Sequence, residues 1–133
     1  MKLLLDTHVL LWVLGAPRRL PKAVRDDLAD PDNDVFFSAI NIWEIAIKSG
    51  QGRARFANDA ALIAQEARDA GFVELPVSAR HAVAVQDMPA LHGDPFDRLL
   101  IAQALCEPAF LVTADVQIAR YAVPLRQFNP NKP

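Results

Sequence analysis

Four acidic residues stand in apolar surroundings, where carboxylates are costly to keep. Asp6 directly follows Leu3-Leu4-Leu5, and Asp115 ends the run Phe110-Leu111-Val112-Thr113-Ala114-Asp115. Glu44 lies inside Ile42-Trp43-Glu44-Ile45-Ala46-Ile47; on a helix it shares a face with Ile40 at i−4 and Ile47 at i+3. Leu100, Ile101, Ala104 and Leu105 follow Asp97 at i+3, i+4, i+7 and i+8, so Asp97 heads a stripe that must pack inward. Each acid also has a local account. Asp6 and Asp115 can cap the helices after them, Asn41 and Glu44 can form a capping box, and Glu44 can pair with Lys48 at i+4. Asp94 suits an N-cap, with Pro95 at the first helical position and Asp97 at N3. That account explains Asp94 well and the inward direction of Asp97 poorly, because a buried carboxylate needs a partner. Carboxylates brought together repel, and some hold protons at neutral pH unless a cation neutralises them. Oxygen-only ligands favour Mg²⁺ or Mn²⁺. Such a cation polarises a phosphate and lowers the pKa of a bound water, which then attacks in line.

The elements that must position these acids alternate between two types. Lys2 to Leu5 reads as a buried strand and Thr7 to Gly15 as a helix stopped by Pro17. A polar helix over Pro21 to Asp30 precedes the turn Pro31-Asp32-Asn33-Asp34 and a second strand, Val35 to Phe37, ending at Ser38. The Glu44 helix is expected from about Ile40 to Ser49, with Gly50 as its cap. After a loop carrying Arg53 and Arg55, a helix runs from Asn58-Asp59 to Ala70, and a third strand from Phe72 to Leu75. Ser78 caps a helix to about Asp87, and the Asp94 helix ends near Cys106. A fourth strand, Phe110 to Val112, is followed by a short helix to Tyr121 and a short last strand, Val123 to Leu125. The pattern predicts an α/β fold, a three-layer sandwich with a mainly parallel central sheet. In such a sheet the four acids fall on one carboxyl-end edge, near the point where strand order reverses.

Composition bounds the rest. A chain of 133 residues suits a single domain over 1–128, followed by a short tail at 129–133. The hydrophobic share is 52% and the charged share 23%, the balance of a globular protein. A net charge of −2 excludes a strongly basic nucleic-acid clamp, so a metal or a local Arg/Lys cluster would have to meet phosphates. Cys106 is the single cysteine and excludes an internal disulfide framework. Asp6 and His8 break the N-terminal apolar run into pieces too short to span a bilayer, and the expected location is the cytoplasm. The acids at 26, 27, 30, 32, 34, 59, 66, 69 and 87 read as solvated surface, and Glu74 as an exposed strand edge.

Several stretches carry a resemblance together. Leu-Leu-Leu-Asp6-Thr7-His8 comes first, then the Ser38…Trp43-Glu44-Ile-Ala-Ile-Lys48 helix. His92-Gly-Asp-Pro-Phe-Asp97-Arg-Leu-Leu-Ile-Ala-Gln-Ala104 and Leu-Val-Thr-Ala-Asp115 follow. In this order they resemble the PIN domain, specifically VapC-type toxins of bacterial toxin–antitoxin pairs. The resemblance implies a Mg²⁺- or Mn²⁺-dependent endoribonuclease, neutralised by a partner antitoxin whose C-terminal segment lies in or near the active site. It also implies a homodimer, within or outside a larger complex. Carried onto this chain, Asp6, Glu44, Asp97 and Asp115 match the family's acidic quartet, as catalytic and metal-binding residues. Asp6 and Asp97 are the expected direct ligands, and Asp115 matches the most variable member. Thr7, Ser38 and Asp94 are candidates for supporting the site, with helix capping as the alternative. Lys48, Arg98, Arg53 and Arg55 are candidates for RNA phosphates, against surface charge and, for Lys48, an ion pair with Glu44. His92 reads as structural or as lining the rim. The competing readings are a catalytically silent PIN-like domain that binds antitoxin or RNA, and another Mg²⁺-dependent phosphoryl hydrolase. A haloacid-dehalogenase-type phosphatase is disfavoured, since His8 occupies the position of its second Asp.

Overall fold

The computed structural model describes residues 1–51 and 59–131. Five strands, β1 (Lys2–Leu5), β2 (Asp34–Ser38), β3 (Val73–Leu75), β4 (Phe110–Thr113) and β5 (Leu125–Gln127), form one sheet in the order β3-β2-β1-β4-β5. All four pairings are parallel. Among the described residues six α-helices surround it: α1 (Thr7–Gly15), α2 (Lys22–Ala29), α3 (Ala39–Gly50), α4 (Ala60–Asp69), α5 (Ala79–Ala84) and α6 (Pro95–Cys106).

The continuous apolar runs of β1 and β4 follow from burial on both faces, which a parallel sheet requires. Leu3 and Leu5 face one core with Val9 and Leu10 of α1, Val24 of α2, Ile45 of α3 and Ile63 of α4. Leu4 faces the other, with Leu100, Ile101 and Ala104 of α6, Leu111 and Ile118. The result is the three-layer α/β sandwich that the alternation of elements predicts. Strand order reverses between β1 and β4: the chain steps from β1 to β2 and β3 on one side, then returns to β4 and β5 on the other. The carboxyl ends of these two strands therefore border the crevice where such sheets place their sites.

Several local expectations change. The helix carrying Glu44 includes Gly50, and Gln51 caps it. Its capping box is Ser38 with Asn41, so the Asn41–Glu44 box does not form. The helix after Ser78 is six residues long and passes into a 3₁₀ turn, Val85–Asp87. The helix expected before Tyr121 is a 3₁₀ turn over Ile118–Arg120, and the last strand begins at Leu125 instead of Val123. Glu74 is exposed on the edge strand β3. No described helix is long and apolar enough to cross a membrane.

Candidate active site

Asp6 is placed by the end of β1 and the start of α1. Its Oδ1 accepts the Thr7 N–H at 2.7 Å, which makes it the N-cap of α1. Its Oδ2 accepts the Thr113 hydroxyl at 2.7 Å, across the β1–β4 junction. The same Thr113 Oγ1 accepts the Asp115 N–H at 2.9 Å. Thr113 thus joins two of the four acids.

Glu44 is positioned from α1 and from its own helix. The Thr7 hydroxyl donates to Glu44 Oε1 at 2.6 Å, and Lys48 Nζ donates to Oε2. Thr7 Oγ1 in turn accepts from Asn41 Nδ2 at 3.0 Å, and the same amide donates to Leu5 O at 3.1 Å. Asn41 Oδ1 accepts the Ser38 N–H at 2.7 Å. Ser38 caps α3 and donates its hydroxyl to Gln103 Oε1 of α6 at 2.5 Å. The helix carrying Glu44 and the helix carrying Asp97 are therefore tied by a buried hydrogen bond.

Asp97 sits in the first turn of α6, which Asp94 caps through the N–H groups of Phe96 and Asp97. Its Oδ2 lies 3.0 Å from His92 Nε2. Asp6, Glu44 and Asp97 are only 5%, 4% and 8% exposed, while Asp115 is half-buried and accepts the Gln117 N–H at 2.8 Å. The sheet edge thus gathers all four acids, three of them buried.

Their charges act on one another. Burial pushes the Asp97 carboxyl up to about 8, and the charges of Asp6, Asp94, Glu44 and Asp115 each add to the rise. Asp6 rises to about 6, chiefly by burial; hydrogen bonds from Thr113 and Thr7 oppose this, and Glu44 and Asp115 reinforce it. These carboxylates lie close enough to disfavour each other's ionised forms. Among the described residues no group of three or more His, Cys, Asp or Glu side chains is arranged to hold a metal ion as it stands. Thr113, Thr7, Lys48 and His92 already occupy carboxylate oxygens. The donor chemistry nevertheless fits a hard divalent cation. The donors are all oxygen, three of the four acids are buried, and a cation would relieve their repulsion. Mg²⁺ commonly binds through one or two carboxylates and keeps several waters, so no closed cage is required.

The cations expected near the site fare differently. Lys48 is ion-paired to Glu44, both largely buried. Arg98 points its guanidinium to Pro89 O, Val85 O and the Tyr121 hydroxyl. These contacts fasten the loop before α6. Arg53 and Arg55 lie outside the described residues. Trp43 is half exposed, and its ring meets Phe96 edge-on at 4.8 Å. Thr113, Asn41 and Gln103 escaped the reading of the sequence as site-supporting residues. The available signals were a threonine two residues before Asp115, an asparagine three after Ser38, and a lone amide inside the apolar stripe of α6.

Comparison with known proteins bears on the family and the fold. Residues 3–124 match the family model of the PIN domain. Ribonuclease VapC22 of Mycobacterium tuberculosis is 31% identical over 125 residues, covering 91% of this chain and 92% of the relative. The fold is similar to a chain in the crystal structure of VapBC2 from Rickettsia felis bound to a DNA fragment from their promoter. That match has a TM-score of 0.68 and 16% identity, over 97% of this chain and 100% of the other. It is also similar to a chain of FitAcB from Neisseria gonorrhoeae, with a TM-score of 0.65 and 18% identity over 98% and 99% of the two chains. With nearly its whole length matched, and with the acids of its sheet edge at the strand-order reversal, the chain belongs to the PIN domain family.

Proposed function

We propose that the chain is a Mg²⁺- or Mn²⁺-dependent endoribonuclease, the toxin of a toxin–antitoxin pair. The observation that carries the reading is the convergence of buried Asp6, Glu44 and Asp97 at the strand-order reversal, with Asp97 and Asp6 raised by burial and by neighbouring acids. The ribonuclease relative and the VapBC structures support the choice of RNA as substrate and of an antitoxin as partner.

Asp6 and Asp97 are the residues to hold the cation directly, with Glu44 and Asp115 completing an acidic rim. The cation, when bound, supplies charge to polarise a phosphate and to acidify a water. The chain's own residues do the orienting. Thr113 and the Thr7 N–H fix both oxygens of Asp6. Thr7 and Lys48 fix those of Glu44, which leaves a carboxylate in place to receive a proton from an attacking water. Burial of the carboxylates keeps their field from being screened by bulk water.

The test uses purified protein without its antitoxin, total RNA, and Mg²⁺, Mn²⁺ or EDTA. Discrete cuts that need the metal, and that fall by about 100-fold or more in both Asp97→Asn and Asp6→Asn, are expected. Metal-independent cutting, or both variants cutting as wild type, overturns the metal-site mechanism. Folded protein that cuts no RNA under any metal gives way to the silent binding domain.

A further inference from the structure

Lys48 and Arg98 are committed inside the protein, which leaves open where RNA phosphates are met beyond the scissile bond. Lys2, Lys22, Lys48, Arg68, Arg80, Arg98, Arg120 and Arg126 all have a hydrogen bond or ion pair. Arg19 lies over the Trp12 ring, its guanidinium carbon 4.7 Å from the centroid. Among the described residues, only Arg18 and Arg25 have neither a hydrogen bond, an ion pair nor a ring contact from their side chains. These exceptions are neighbours: Arg18, Arg19, Lys22 and Arg25 line one cleft of about 270 Å³ with Leu20 and Pro21, and among the described residues no acid lines it. All four are exposed. Residues 7–25 contain no Asp or Glu, in a chain whose net charge is −2. Lys22 shares its charge with Asp26 at 2.7 Å, so the unshared charge belongs to the arginines.

We propose that Arg18, Arg19 and Arg25 form a phosphate-binding patch that holds the backbone of the single-stranded RNA substrate away from the cleavage site; this rests on the ribonuclease reading above. Planar guanidinium forks suit phosphate oxygens, and unpaired ones reach them without breaking an internal contact. Arg19 on Trp12 adds an aromatic–cation surface of the kind that single strands stack on. The larger cleft between α1 and α4, about 650 Å³, also contains Arg19 but carries Asp59 and Glu66, which makes it the poorer phosphate path. The nine-residue α1 separates Asp6 from the patch by about 13 Å along its axis. A bound strand must therefore extend past the scissile bond, and a dinucleotide, with its single internucleotide phosphate, cannot reach both places.

The experiment measures binding of a labelled 20-nucleotide single-stranded RNA and a labelled dinucleotide to the full chain carrying Asp97→Asn, as a function of salt. Adding R18Q/R25Q is expected to weaken the 20-mer about tenfold at low salt. It should also flatten the slope of log K against log salt by roughly 1.4, about 0.7 for each lost contact. Binding of the dinucleotide should stay unchanged, and R18K/R25K should restore most of the slope. An unchanged slope for the 20-mer overturns the patch and leaves the ribonuclease reading standing. So does an equal loss in the charge-matched R68Q/R80Q variant, which makes the effect one of net charge. An unchanged RNA slope with weakened antitoxin binding assigns the patch to a protein partner and overturns the proposal. Failure of both RNAs to bind the Asp97→Asn protein overturns the patch and the ribonuclease reading together.

Discussion

Thr113 shows how much of the site depends on groups that carry no charge. Its hydroxyl donates to Asp6 and accepts from the Asp115 N–H, and the side chain is fully buried. Thr113→Val keeps the shape but removes both bonds. Asp6 Oδ2 then loses its donor, and a hydrogen bond that holds Asp6 below an even higher pKa disappears. RNA cleavage is expected to fall about 10- to 100-fold, with a stability loss of about 1–3 kcal/mol from the groups left unpaired. Thr113→Ser, which returns the hydroxyl, should recover most of the activity; equal loss in both variants would show that the methyl packing, and not the hydrogen bond, matters. The acids themselves were legible because a carboxylate among leucines and isoleucines is anomalous on sight. Thr113 was not, since a threonine in a strand is ordinary and its partner lies 107 positions away. The contacts of Arg98 are hidden in the sequence for a related reason: the loop carbonyls that hold it belong to residues up to 13 positions away.

At the scale of elements, the site is a problem of holding α3 and α6 at a fixed separation. The Ser38–Gln103 bond does this from inside. Gln103 is fully buried, and its amide also donates to Pro76 O at 3.3 Å. Gln103→Leu fills similar space but leaves the Ser38 hydroxyl without its acceptor. Denaturant unfolding should report a loss of about 1–3 kcal/mol, with RNA cleavage reduced because Glu44 and Asp97 are no longer tied. Stability within about 0.5 kcal/mol of wild type would mean that the tie contributes nothing. The N-caps tell a complementary story. Asp94 and Ser78 cap helices as their spacing predicts, because a cap is a contact of two or three residues and the chain states it locally; Ser38, for which capping was the alternative to supporting the site, caps α3 as well. Helix ends are harder to read. Gly50 continues α3 in spite of its poor propensity, and the chain after Asp115 makes a 3₁₀ turn, since neither outcome is decided by the residues nearby. The parallel sheet was legible from its apolar runs. The start of β5 was not, because its register is set by β4, through the pairing of Leu111 with Leu125.

For the molecule as a whole, the cost of crowding carboxylates becomes a dependence of stability on pH. Asp97 and Asp6 have folded-state values near 8 and 6, against about 3.8 in the unfolded chain. Between those limits the folded state binds more protons than the unfolded one, so stability must fall as pH rises. Metal-free protein is therefore expected to melt at a higher temperature at pH 5 than at pH 8, with the decline continuing above pH 6 on account of Asp97. Glu107 works in the opposite sense. A hydrogen bond from His81 lowers its pKa below the usual 4.5, so the stability it confers is lost only as pH falls through that lower value, outside this window. Asp97→Asn has no proton to release and should flatten the upper part of the curve. Mg²⁺ or Mn²⁺ should act where the carboxylates are ionised, raising the melting temperature at pH 8 far more than at pH 5, because protons compete for the same oxygens. Differential scanning calorimetry of the wild type and Asp97→Asn, with and without the cation, separates these contributions. A metal-free melting temperature that is flat or rising from pH 5 to pH 8 would contradict the electrostatics of the site. A cation effect equal at both pH values would place the ion somewhere other than on Asp6 and Asp97.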